Sequence, residues 1–310
     1  MKLRVLLPSL CFLLFGPLGL LAQSDPAART LLIDATLVAS GPESSLVAVG
    51  ERGAVLRSTD KGGTWQRVPA PATAMLTGVS FAPHSAHGWV VGHDATVLHT
   101  TDGGATWTAQ RPTDDIGTSF LAVLALDPQT ALVVGAFGQS FATHDAGQTW
   151  TPFRPSEEDL HLNTLALTPD GTLVLAGERG LLLRSSDRGA TWQPAESPYE
   201  SSFYGLLALG EGRLLAVGLR GRIVASDDSG QTWQPVANAS TALLATAARL
   251  PDGTLVLAGQ ARAFLASRDG GRTFTAWSPD LTTAVSKLLV APDGALFAFG
   301  EAGVTRLPAP

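Results

Sequence analysis

Ser58-Thr59-Asp60-Lys61-Gly62-Gly63-Thr64-Trp65 reads as Ser or Thr, any residue, Asp, any residue, Gly, any residue, Thr and a large aromatic ring. The same eight-residue pattern returns at 100–107, 143–150, 185–192, 226–233 and 267–274, the last with Phe274 in place of Trp. Its aspartates are Asp60, Asp102, Asp145, Asp187, Asp228 and Asp269, spaced by 42, 43, 42, 41 and 41 residues. A period in the low forties marks a solenoid or a propeller. The segments between the motifs are short, apolar and strand-like, without helical periodicity, which excludes a helical solenoid.

A second marker fixes the register. Each unit has an apolar run ending in glycine, at Gly50, Gly92, Gly135, Gly177, Gly218, Gly259 and Gly300. In the first six units the motif aspartate follows ten residues later, so all length variation lies between one aspartate and the next glycine. Seven units predict an all-β, seven-bladed β-propeller of four-stranded antiparallel blades. In the second unit, strands are expected over 76–81, 88–91, 96–99 and 106–110. The run ending in glycine is apolar throughout, as expected of a strand covered on both faces. The seventh unit supplies three strands, 285–291, 295–300 and 304–307. The unassigned apolar stretch 30–33, ahead of a first strand near Leu37, is expected to complete that blade and remove an open edge.

Residues 1–22 read as a signal peptide. Lys2 and Arg4 precede an apolar run over 5–21 that Pro8, Gly16, Pro17 and Gly19 interrupt, and Ala22 precedes Gln23. A membrane anchor is the competing reading, disfavoured because the run is short and broken by two prolines. Residues 23–310 then form a single exported domain. Cys11 is the one cysteine, so the mature chain would lack disulfides and thiolate metal sites. Loss of Lys2 and Arg4 makes the net charge of −6 two units more negative. An acidic chain disfavours nucleic acid as partner.

The motif aspartate suits a tight turn, where its carboxylate accepts backbone N–H groups, while the glycine permits positive φ and the ring packs between blades. One turn repeated six times reads as architecture, whereas six acidic sites would be the functional alternative. The motif resembles the BNR, or Asp-box, repeats of sialidases and related propellers. With the signal peptide, the seven units and the hairpins Gly50-Glu51-Arg52-Gly53, Gly177-Glu178-Arg179-Gly180 and Gly218-Leu219-Arg220-Gly221, residues 29–307 resemble the photosystem II assembly and stability factor family. That resemblance implies a non-catalytic, cofactor-free, periplasmic or lumenal protein that binds a membrane protein or envelope complex subunit, and a monomer.

Candidate binding residues lie on the hairpins between the second and third strands. Arg52, His93, Arg179, Arg220 and Arg262 would form a partial basic ring suited to carboxylates or phosphates. Solvated turns also tolerate arginine without function. Loops entering each blade share this face: 154–163 contains Glu157, Glu158, Asp159 and His161, and 196–204 contains Tyr199, Glu200, Phe203 and Tyr204. Tyr199 after Pro198 is the expected contact, and Phe203 is expected in the core. The alternative is a sialidase-like glycan-binding or glycan-cleaving protein, for which Arg179, Arg220 and Arg262, Tyr204 with Glu200, and Asp114 or Asp115 could be drafted. The chain lacks that family's N-terminal arginine motif, Arg29 falling in the expected closing strand. The histidines at 84, 87, 93, 99, 144 and 161 are scattered; His84 and His87 are expected in a solvated turn and supply no zinc motif. No phosphate loop indicates a nucleotide. Asn238-Ala239-Ser240 is a glycosylation sequon.

Overall fold

The computed structural model describes residues 29–40 and 44–310. The proposed signal peptide lies outside the described residues. Among the described residues seven antiparallel sheets form the ring, six with four strands and one with three. Within each blade the strands follow chain order, here called a to d from the inside outward. Blade one comprises Leu32–Val38, Ser45–Gly50, Val55–Ser58 and Gln66–Arg67. Blade two comprises Leu76–Phe81, Gly88–Gly92, Val97–Thr100 and Thr108–Gln110, close to the boundaries read from sequence. The b strands are buried at nearly every position, which is why they show no alternation.

The unit-ending glycines have one structural cause. The residue just before each a strand turns its carbonyl over the glycine, and a Cβ at Gly50 would overlap the Leu31 oxygen. That same oxygen accepts the N–H of Glu51 at 3.0 Å. The arrangement recurs in every blade, through Met75, Ser119, His161, Ser202, Leu243 and Ala284. A side chain there would displace the carbonyl that ties strand a to the b–c hairpin.

One expectation is corrected. Residues 30–33 do not form a closing strand: Leu32 and Ile33 begin strand a of blade one, where Leu32 pairs with Gly50. Asp34, which lines the channel, interrupts the apolar run, so one strand of seven residues reads in sequence as two. Blade seven has Val285–Val290, Leu296–Gly300 and Gly303–Leu307, and no fourth strand among the described residues. Side chains join it to blade one. Phe297, Phe299 and Ala291 pack with Leu32, Leu46, Leu56 and Trp65, and Trp65 meets Phe299 edge to face at 5.5 Å.

The a strands line a central channel. Polar side chains there cross from blade to blade. Asp34 accepts the Val79 N–H at 2.9 Å and pairs with Lys287 at 2.8 Å, linking blades one, two and seven. Asn163 donates to the Phe203 carbonyl at 2.9 Å, and Thr246 accepts the Leu288 N–H at 3.0 Å.

Candidate functional site

The b–c hairpins of blades one to six share a tight backbone turn. In Glu51-Arg52-Gly53-Ala54, Ala54 N–H donates to the Glu51 carbonyl at 3.0 Å, while Arg52 and Gly53 both have positive φ, 55° and 65°. This is the primed turn whose twist suits a two-residue hairpin. Arg179 and Arg220 hold the same first central position at φ 55° and 57°, with Gly180 and Gly221 behind them. The left-handed region disfavours side chains other than Gly and Asn by about 1–2 kcal/mol. Three arginines therefore stand where glycine would be less strained.

The basic ring is only partly regular. Arg52, His93, Arg179, Arg220 and Arg262 are all exposed. Only Arg52, Arg179 and Arg220 are equivalent, however. In blade two the turn residues are Asp94 and Ala95, so His93 sits one position early. In blade six they are Ala261 and Arg262, so Arg262 sits one position late. Blade three places Phe137 at the arginine position, with φ 53°.

Blades four and five bring several candidates together. A cavity of about 470 Å³ is lined by Arg179, Arg220, Tyr199, Glu200, Glu178 and Arg222, among others. Arg222 was not among the sequence candidates. Its guanidinium lies 4.2 Å from the Tyr199 ring centroid, a cation–π contact that holds the half-buried ring in place. Arg222 Nε is buried and makes no hydrogen bond among the described residues. Glu178 is turned aside, its Oε2 accepting the His161 N–H at 3.1 Å. Among the described residues, no ion pair engages Arg179, Arg220 or Arg222. The loop also docks on the hairpin: a Cβ at Gly180 would overlap the Tyr199 carbonyl. Three guanidinium groups beside a fixed phenol make a pocket for a carboxylate or phosphate, which arginine forks grip with paired bonds.

The chain matches the family model for the photosynthesis system II assembly factor YCF48 over residues 28–154 and 115–259. The chain belongs to this family. It is 35% identical over 91 residues to the chloroplastic photosystem II stability/assembly factor HCF136 of Cyanidioschyzon merolae, a segment covering 29% of this chain and 20% of that protein. It is 44% identical over 43 residues to the photosystem II assembly protein Ycf48 of Thermosynechococcus vestitus, covering 14% of this chain and 12% of that one. The matched segments thus span a small part of either curated relative. A solved structure of YCF48 bound to D1 peptide superposes with a TM-score of 0.70 at 22% identity, covering 91% of this chain and 92% of that one. YCF48 from Cyanidioschyzon merolae gives 0.72 at 18% identity, covering 90% and 95%. At these identities the two structures speak for the fold.

The opposite face of this YCF48-family propeller carries the Asp boxes, and their geometry repeats. In the first box Asp60 Oδ1 accepts from Ser58 Oγ and Thr64 N–H, Oδ2 accepts from Thr64 Oγ1, and Ser58 Oγ accepts from Gly62 N–H. The five others repeat the set, as at Asp145 and Asp228. Hydrogen bonds from Thr149 lower the Asp145 carboxyl to about 2, and those from Thr191 lower Asp187 likewise. These carboxylates have their acceptor capacity directed into their own turns. Trp65, Trp107, Trp233 and Phe274 are buried behind them.

The remaining candidates scatter. Phe203 is fully buried, as expected, and Tyr204 lines the central channel while Glu200 lines the arginine pocket. The Tyr–Glu pair required by a sialidase-like reading is therefore split between two cavities. Asp114 pairs with Arg111 at 3.3 Å. The loop after blade three wraps around Arg154, which pairs with Asp159 at 2.6 Å and donates to the Glu157 carbonyl at 3.1 Å. His84 is exposed but His87 is half-buried, its ring 5.6 Å from buried His99. Burial first, then the neighbouring His87, lowers His99 to about 4. Among the described residues no three His, Cys, Asp or Glu side chains are grouped to hold a metal, and no helix is long and apolar enough to cross a membrane.

Proposed function

We propose that this chain is a non-catalytic docking propeller that holds a segment of a membrane-protein subunit during assembly. The pocket between blades four and five would receive a carboxylate of that segment. The observation behind this reading is the convergence of Arg179, Arg220 and Arg222, without ion pairs among the described residues, on one cavity beside Tyr199. Family membership supports it, and a related propeller has been solved with D1 peptide bound. Arg52 and Arg262 would add long-range attraction rather than contact. On this reading the mature protein begins near Gln23, works as a monomer in a periplasm or lumen-like compartment, and needs no cofactor.

The test is recovery of partner from detergent-solubilised membranes by wild type and by the double variant Arg179→Glu, Arg220→Glu. The variant should remain folded and recover at least tenfold less partner. Wild-type recovery should fall with added salt, because exposed charges are screened over about 8 Å at physiological ionic strength. Equal recovery by both proteins at low salt would remove this pocket from the mechanism.

A further inference from the structure

Among the described residues three large apolar side chains are prominently exposed: Ile116 at 70%, Phe137 at 68% and Tyr204 at 41%. Tyr204 faces the channel. The other two belong to the hairpin face. Phe137 takes the turn position that arginine holds in blades one, four and five. A benzyl side chain there is doubly unfavourable, because the left-handed backbone disfavours it and water surrounds its ring. Glycine would avoid both penalties.

The ring is nevertheless held in place. His161 meets it edge to face, with centroids 4.8 Å apart and planes at 88°. His161 is itself fixed from blade four, its N–H donating to Glu178 Oε2 at 3.1 Å and its carbonyl accepting the Glu178 N–H at 2.9 Å. Glu178 lines the arginine pocket and precedes Arg179. The phenyl–imidazole pair is thus braced against the pocket wall. Ile116 rises from the loop before blade three, whose Ser119 carbonyl accepts the Ala136 N–H of the Phe137 hairpin at 2.9 Å.

We propose that Phe137, braced by His161, is an apolar anchor subsite for the same partner segment. It would accept a bulky apolar or aromatic side chain a few residues from the acidic group that enters the arginine pocket. This inference rests on the docking function above and adds a selectivity element to it. The pocket selects for negative charge, and the anchor selects for a side chain at a fixed distance along an extended chain. Aromatic and arginine side chains are the groups that most often dominate such interfaces. The complementary partner is therefore an acidic-apolar peptide rather than a uniformly acidic one.

The experiment uses fluorescence anisotropy with labelled synthetic peptides of ten residues. Each has Asp and Glu next to a free C-terminal carboxylate, and either Phe or Ser at one scanned upstream position. With wild type, Phe at one or two adjacent positions should tighten binding at least fivefold over Ser. Phe137→Gly, which suits the backbone, should reduce the Phe peptide to the affinity of the Ser peptide and leave the Ser peptide unchanged. Arg179→Glu with Arg220→Glu should weaken both peptides together. Equal binding of Phe and Ser peptides at every position, or unchanged preference in Phe137→Gly, overturns the anchor while leaving the arginine pocket intact. Failure of wild type to bind any peptide overturns the anchor as well. Failure of the docking function itself is read separately, from the membrane recovery.

Discussion

The two faces of this ring use the same device, a turn with two residues of positive φ, to opposite effect. On the Asp-box face Lys61 and Gly62, or Ala146 and Gly147, take these positions, and the adjoining Ser or Thr, Asp and Thr side chains turn inward to bond the same loop. On the hairpin face the turn is closed by backbone bonds alone, and the side chains at its tip are arginine, aspartate, phenylalanine or alanine. Constant side chains at constant geometry hold the frame. Varied side chains at constant geometry are free for recognition. Repetition therefore marks the box aspartates as structural, and the unlike residues at the hairpin tips mark the face on which the proposed docking site lies.

Substitutions can test that contrast. The largest effect is expected at a position both faces depend on. Gly218→Val would drive a side chain into the Ser202 carbonyl, lowering stability by about 3 kcal/mol or more. Thermal unfolding should show the loss, or the protein should fail to accumulate folded. A smaller loss is expected within a box. Thr143 is buried and its hydroxyl accepts the Gly147 N–H at 2.8 Å. Thr143→Val should cost about 1–3 kcal/mol by leaving that donor unpaired, with peptide and partner binding retained by the folded fraction. A folded Thr143→Val or Asp145→Ala protein without partner binding would break the contrast. Acid should act on the same face. Asp145 and Asp187 are lowered to about 2 from 3.8. Their contribution is complete above the unfolded value and is lost as pH falls toward about 2. Removing both carboxylates should flatten the acid limb of a stability-versus-pH curve over that interval.

The smallest effect should have the opposite sign. Arg179→Gly or Arg220→Gly relieves a left-handed residue and should stabilise the fold by up to about 1 kcal/mol while weakening partner binding. A stability gain with binding lost is the signature of strain kept for function. A glycine variant that binds as wild type would return these arginines to the role of tolerated turn residues.

Much of the frame was legible because it is written in residue types with no local substitute. The seven glycines are needed where a carbonyl covers the backbone, and the box residues where a turn must satisfy its own donors. The b strands were legible from uninterrupted apolar runs. Residues 30–33 were misread because Asp34, whose carboxylate bonds Val79 N–H and Lys287, interrupts the apolar run and makes one strand look like two. The arginine ring was misread at its ends because in blades one to six the turn's first central residue is the second after the unit glycine, whereas His93 is the first and Arg262 the third. Arg222 was missed because it follows the turn rather than sitting at its tip. A signal was present: four residues after the unit glycine the other blades have Ala54, Thr96, Gln139, Leu181, Ala263 and Val304, and only blade five has a charge. Phe137 was overlooked in a search for cations, although it occupies the very position those cations define.

The carbonyl folded over each unit glycine has a consequence for how such a surface can change over generations. It welds hairpin to ring through main-chain atoms, so the residue two places after the glycine can be exchanged without disturbing its neighbours. Each blade then contributes one independently mutable character to the rim. Duplicated copies of the gene could acquire new clients by rewriting a few of those characters, with no need to reinvent the ring.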